Sequence, residues 1–399
     1  MLNNQIIKKM KKLFVFAAAA VVALASCTKT VVNETPDRAI SFQVANYVPQ
    51  TKAGEVKYDG TSFHTYAWFH PDATATAQVF MNNEEIKLQD NTPATWAADR
   101  PYFWPKTGNI NFFSYAGTPV PAVTENQALY SEKTIAVTDD ALLASAAYHY
   151  GVAQAGLNTY SGLKYGTADT DVTGVPTLFH HILAKVSFKV FFSAEGIKDT
   201  NYKWDLVVNS ASVEYANVGT LTVNFTDPGF TTTAQAWPYA AGTYNWVPKD
   251  GATNNVQAAP CGTNAVAFDG TANKQTVVAN SAGDAKSDGI IILDEITVMP
   301  QVLATSAAKF RINYTLTSYY NNGTSFDQHI QETVNLSDTG TNPLGAILLT
   351  AFSSNAIPQW NMNYKYTYNV TIKPDKTVTF DPAVEAWLTD STNYTYPND

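Results

Sequence analysis

Short segments that alternate apolar and polar residues recur along almost the whole chain. Ile40-Ser41-Phe42-Gln43-Val44, Ile110-Asn111-Phe112 and Leu221-Thr222-Val223-Asn224-Phe225 are three of them. Phe310-Arg311-Ile312-Asn313-Tyr314 and Tyr366-Thr367-Tyr368-Asn369-Val370-Thr371-Ile372 are two more. A period of two places the apolar side chains on one face of an extended strand, so each segment reads as a half-buried strand. Turn signals separate them, among them Asp59-Gly60, Thr107-Gly108-Asn109 and Asn321-Asn322-Gly323. No stretch carries a long helical period, and Ala141 to Ala147 predicts at most a short helix. Many short strands without helical crossovers predict an all-β chain of antiparallel sheets packed as sandwiches.

The composition fits a protein that works outside the cell. Charged residues are 15% of the 399, against about 25% in typical domains. The net charge is −9. An acidic chain is poorly suited to nucleic acid or to anionic membrane surfaces, so neither is expected as a partner. Two cysteines, Cys27 and Cys261, offer little for a disulfide framework, and stability must come from packed cores.

Cys27 has a different explanation. Lys8, Lys9, Lys11 and Lys12 form a basic cluster, and Leu13 to Ala25 is almost unbroken apolar sequence. That run falls short of the roughly 20 residues a spanning helix needs. A basic start with a short apolar core is the pattern of a secretory signal peptide, here residues 1–26. Leu24-Ala25-Ser26-Cys27 resembles the lipobox of bacterial lipoproteins, in which the thiol is acylated and the chain is cut just before it. Met10 gives the more usual start for such a leader. Several acyl chains on one cysteine anchor a protein stably, each buried CH₂ contributing about 0.8 kcal/mol. An outer-membrane, surface-exposed lipoprotein is the expected address.

A mature chain of this length suggests two or three domains. A polar Gly- and Thr-rich stretch, YGTADTDVTGVP, ends near residue 176, and FHHILAKVSFKVFF follows, read as one strongly apolar strand that opens a second domain. The predicted domains are therefore 27–176 and 177–399.

Catalytic and metal-binding patterns are scarce. The chain has no P-loop, GxGxxG, GxSxG, CxxC or HExxH. His180 and His181 are adjacent, so on a strand they point to opposite faces, one buried and one exposed. Asp169-Thr170-Asp171-Val172-Thr173-Gly174 matches the opening of a calcium loop. The twelfth position, where a bidentate Glu belongs, is His180, so the segment reads as a polar loop. No metal, cofactor or catalytic activity is expected. Aromatic residues make up 13%, with 8 Trp and 22 Tyr. Most are assigned to sandwich cores, where they supply large apolar areas; exposed in a row, they would serve glycan binding.

Several segments, in order, resemble the fimbrillin family, the type V pilins of diderm anaerobes. They are the lipobox at Cys27, AISFQVANYVPQTKAG, TYAWF, VFMNNEEI, RPYFWPKTGNINFFSYAG, FHHILAKVSFKV, VMPQVL, WNMNYKYTYNVTI and a final Val-x-x-Trp in AVEAW. The resemblance spans most of the mature chain. It implies two transthyretin-like antiparallel β-sandwich domains in tandem. It also implies assembly: a trypsin-like protease cuts after a basic residue, releases the lipidated first strand, and a neighbouring subunit's strand fills the empty groove. The partners would be other fimbrial subunits, and a host protein or glycan.

The sequence offers parts for this. Ile40, Phe42, Val44 and Val48 share one face near the N-terminus. Val378, Phe380, Val384, Ala386 and Leu388 share one face near the C-terminus and form the candidate donor strand. Arg38 suits an arginine-specific protease, yet cutting there releases a tail with only Val31 and Val32 to fill a groove. Lys52 follows a complete strand but is a lysine where the family commonly shows arginine. A structural or adhesive fimbrial subunit is the leading expectation. A monomeric, surface-anchored glycan-binding lipoprotein is the alternative.

Overall fold

The computed structural model describes residues 39–44, 60–72, 74–91, 94–105, 109–117, 120–125, 127–136, 143–151, 159–160, 172–173, 175–177, 179–225, 242–249, 255–303, 308–350 and 357–386. The fold is all-β. The first strands are β1 (Phe42–Val44), β2 (Ser62–His70), β3 (Gln78–Asn91), β4 (Ala94–Ala98), β5 (Asn109–Ala116) and β6 (Ala122–Thr124). Next come β7 (Gln127–Thr134), β8 (Leu143–Gly151), β9 (Thr159–Tyr160), β10 (Val172–Thr173), β11 (Val175–Thr177) and β12 (Phe179–His181). Then follow β13 (Ala184–Phe192), β14 (Tyr202–Tyr215), β15 (Val218–Phe225), β16 (Gly242–Pro248), β17 (Asn255–Ala258), β18 (Lys274–Val278) and β19 (Ile290–Val298). The last are β20 (Gln301–Val302), β21 (Lys309–Asn321), β22 (Phe326–Leu336), β23 (Ile347–Leu348), β24 (Gln359–Trp360), β25 (Tyr364–Ile372) and β26 (Val378–Ala386).

The N-terminal lobe is built on an eight-stranded sheet in the order β11-β1-β4-β3-β2-β5-β8-β12. In a flat sheet β1 and β5, four spacings apart, would lie roughly 19 Å from each other. Their Phe42 and Phe112 rings are 5.7 Å apart. The sheet is therefore curled around its own aromatic core of Phe42, Phe63, Trp96, Trp104, Phe112 and Phe179. Its other face is covered by a four-stranded sheet, β16-β15-β7-β6. Tyr66, Trp68, Phe113 and Tyr115 pack there against Tyr130, Leu221 and Val223. With both faces covered, β5 is buried without interruption from Ile110 to Ala116. The covering sheet draws β6 and β7 from one side of residue 176 and β15 and β16 from the other.

The remaining strands form a sandwich. One sheet has the order β19-β13-β25-β26; the other has β17-β14-β21-β22, with β18 on β14 and β23 on β21. β13 shows why it forms: Ala184, Val186, Phe188, Val190 and Phe192 are buried while the residues between them are not. Phe188 stacks at 4.9 Å on both Phe310 and Tyr368 and joins the two sheets. Most pairings are antiparallel, but β13 runs parallel to β25 through eight residue pairs. Asp205 is buried in this body and accepts hydrogen bonds from Thr276 (2.6 Å) and Tyr319 (2.9 Å), with Lys274 at 2.9 Å. Burial pushes its pKa up, but those three partners more than offset it and hold the carboxyl below its ordinary value.

Two sequence expectations need correction. Ala141 to Ala147 does not give a helix over its described part: Leu143–Gly151 is β8, laddered to β5 and β12. Pairing on both edges outweighs the helix preference of its alanines. FHHILAKVSFKVFF is not one strand either. β12 ends the curled sheet, a bend at Ile182 and Leu183 follows, and β13 enters the sandwich. The bend is fixed from afar by Asn363, whose backbone N–H donates to Leu183 O (2.8 Å) and whose side chain accepts from the His181 N–H (3.3 Å).

Candidate functional site

β1 lies between β4 and β11. Its ladder is short: Phe42 pairs with Trp96 on one side, and Phe42, Gln43 and Val44 pair with Val175, Pro176 and Thr177 in parallel on the other. Pro176 has no N–H to give. Two bonds extend the grip, Val175 N–H to Ser41 O (2.7 Å) and Ile40 N–H to Tyr102 O (2.6 Å). The side chains are fixed more firmly. Ile40, Phe42 and Val44 are all buried, Phe42 to 1% exposure. The Phe42 ring meets Phe63 at 5.8 Å and Phe112 at 5.7 Å, both edge-to-face. Phe63 in turn contacts Trp96 and Phe179, and Phe112 contacts Trp104. Phe42 is thus the plug of an aromatic cage.

β26 is bound in the opposite way. It pairs with β25 through nine residues, from Ile372↔Val378 to Tyr364↔Ala386, after a turn in which Lys376 takes a φ of 71°. It ends its sheet, so its other edge carries no ladder among the described residues. Phe380 is buried and meets Phe310 edge-to-face at 5.8 Å. Val378 packs at the margin of the core. Val384 sits opposite the buried Tyr366 and so points to the same inner face, yet it is 50% exposed. The core does not extend beneath the second half of β26.

Two clefts lie elsewhere. The larger, about 730 Å³, crosses the outer face of β17, β14, β21 and β22, and is floored by Ser212, Asn313, Thr333 and Asn335. The one cation among its described lining residues, Arg311, is held by Glu214 and by Asp338 (3.3 Å). The smaller, about 270 Å³, lies where the free edge of β16 faces the β20–β24 ribbon, and Trp246, Gln301, Gln359 and Asn361 line it.

No described protein family and no curated protein matches the chain. Solved structures do. A candidate cell adhesion protein from Bacteroides uniformis matches at 12% identity and a TM-score of 0.41, over 89% of this chain and 100% of that one. Another from Parabacteroides distasonis matches at 11% and 0.42, over 88% and 100%. The fimbrial anchor protein Mfa2 from Porphyromonas gingivalis matches at 11% and 0.27, over 88% and 98%. Identities and TM-scores this low carry no role or residue across to this chain.

Of the residues singled out in the sequence, Cys27, Arg38, Val48, Lys52 and Leu388 lie outside the described residues, and Ala386 is described only in its backbone. Ile40, Phe42 and Val44 share the cage face, and Val378, Phe380 and Val384 share the inner face of β26. His181 is buried. Of the calcium-like run, Val172 and Thr173 form β10, paired with β9. Among the described residues no three His, Cys, Asp or Glu gather as a metal site. Cys261 is half-buried and free of a disulfide, and burial raises its pKa. Tyr320 is the one aromatic among the large apolar residues that stand exposed, again among those described. Sequence reasoning missed Gln301, whose buried amide accepts from Ala216 N–H (3.2 Å) and donates to Ala216 O (2.9 Å) and Met299 O (3.0 Å). Its only sequence trace is a polar residue inside the apolar VMPQVL.

Proposed function

We propose that this protein is a structural or adhesive subunit of a type V fimbria that acts without catalysis. It is exported as a lipoprotein acylated at Cys27 and held on the outer membrane. Cleavage after Lys52 frees the segment that carries β1 (Phe42–Val44), and a strand from a neighbouring subunit takes its place; a cut after Arg38, the other candidate, frees only the tail ahead of β1. The observation that carries this reading is the contrast within β1: a three-residue ladder joined to a deeply buried side-chain plug. Loss of such a strand opens a groove of defined shape, lined by Phe63, Trp96, Phe112 and Val175. An incoming strand gains main-chain hydrogen bonds from β4 and β11 and specificity from the cage, which is β-augmentation. β26 supports the donor role, because it already lies on an edge and carries the half-exposed apolar Val384 in its second half. The division at residues 27–176 and 177–399 goes with this reading as a division of the chain, with β12, β15 and β16 of the second part returning to complete the N-terminal lobe.

The test is intact mass and N-terminal sequence of the protein from its native envelope, with sheared surface material and detergent extract compared. A start at Ala53 in a sheared, high-mass ladder is the expected result; a start at Ala39 there would leave β1 in place and confine any exchange to the tail ahead of it. Acylated Cys27 alone, in a monomeric detergent fraction, would replace it with the surface-anchored glycan-binding lipoprotein. The small cleft beside β16 is the observation that favours that second reading.

A further inference from the structure

The small cleft beside β16 combines features that few surface depressions share. None of the described side chains that line it is charged, although the chain as a whole is at −9. Its walls are aromatic and apolar, from Trp246, Trp360, Pro300 and Met362, and amides stand among them. Gln359, Asn361 and Asn245 are exposed, so their donors and acceptors are open to a ligand.

The lining is also held in place. The Trp246 indole N–H donates to Ile182 O at 2.7 Å, and the Trp360 indole N–H donates to Tyr368 Oη at 3.0 Å. Gln359 Nε2 donates to Asn361 Oδ1 at 2.6 Å, and the Asn361 backbone N–H donates to Tyr366 Oη at 2.7 Å. Gln301 is locked onto the Ala216 backbone. A site whose side chains are already fixed loses little freedom on binding. It also lies at the seam between the N-terminal lobe and the sandwich, the kind of place where ligand sites concentrate.

We infer that this cleft binds a neutral saccharide of one or two rings. A cleft without charge gives an ionic ligand no counter-ion to offset its desolvation. An amide both donates and accepts, as does each hydroxyl of a sugar. The partly exposed Trp246 indole offers flat apolar area to the C–H face of the same ring, with the buried Trp360 backing the wall. At about 270 Å³ the cleft falls just below the usual range for small-molecule sites, roughly 300–1,000 Å³, which suits a ligand of only one or two rings. A proline-rich peptide also favours aromatic walls, but it extends about 3.1 Å per residue and needs a longer groove. The inference does not depend on β1 leaving its groove.

The experiment is a glycan array probed with the full chain, followed by tryptophan-fluorescence titration with the neutral di- or trisaccharide bound best. Sialic acid and a proline-rich decapeptide serve as comparators. Saturable binding of a neutral saccharide is expected, weakened about tenfold in Gln359→Ala and in Asn361→Ala, each of which removes hydrogen bonds from an exposed side chain. Ser212→Ala, in the larger cleft, should leave affinity unchanged. An array without neutral binders, affinities that neither amide variant alters, or tighter binding of sialic acid or the peptide would each overturn the assignment.

Discussion

β1 pairs through three residues and, with Ile40 before it, buries three side chains; β26 pairs through nine residues and, among its described side chains, buries only Phe380. One strand is held by what its side chains fill, the other by what its backbone bonds. The difference matters for exchange. A strand held by side chains leaves behind a shaped vacancy that only a matching apolar stripe can fill. A strand held by an edge ladder can be lifted or re-paired residue by residue, because each net hydrogen bond contributes only about 1 kcal/mol.

The largest effect should come from the plug. Phe42→Ala empties the cage and should destabilise the N-terminal lobe by about 3–5 kcal/mol, read as a lower urea midpoint with faster hydrogen exchange in β2, β4 and β5. Phe380→Ala should cost less, about 3 kcal/mol, with the loss confined to the sandwich, because Phe380 contacts the core from an edge. If Phe380→Ala proves the costlier of the two, the contrast between the strands fails. The two bodies should also part company in acid. The Asp205 pKa is lower folded than unfolded, so its stabilisation is complete above the ordinary carboxylate pKa and is lost as pH falls through the folded value. Below about pH 4 the sandwich should lose protection, and Asp205→Asn, costing about 2 kcal/mol at neutral pH, should flatten that acid limb. The smallest effect belongs to Val384→Ser, within about 0.5 kcal/mol, because half of Val384 is already exposed in the monomer. A large loss there would mean that the second half of β26 is packed after all.

Much of this was legible in the sequence. β13, β15, β25 and the first half of β21, to Leu316, follow the alternation, because a strand with one buried face writes its period into the chain. The Ile40, Phe42 and Val44 stripe was visible for the same reason. What was hidden depends on partners far away in sequence. The bend at Ile182 and Leu183 is fixed by Asn363, and no local residue announces it. β8 reads as helix because alanine prefers helices, and only its two neighbours make it a strand. The four-stranded sheet joins β7 to β15 across Leu129↔Thr222 and its neighbours, a pairing that no local pattern encodes. The small cleft was hidden too, since β16, β20 and β24 reach it from three separate stretches.

The most direct test of strand exchange is native trypsin treatment of the full chain followed by mass spectrometry and denaturant-free electrophoresis. A body starting at Ala53, freed of the β1 segment and forming a ladder of multimers, is the result the account requires. Phe42→Ala should speed that release, and a soluble peptide spanning residues 376–390 should cap the ladder. A cut chain that retains its β1 segment and stays monomeric would contradict the exchange of β1 outright.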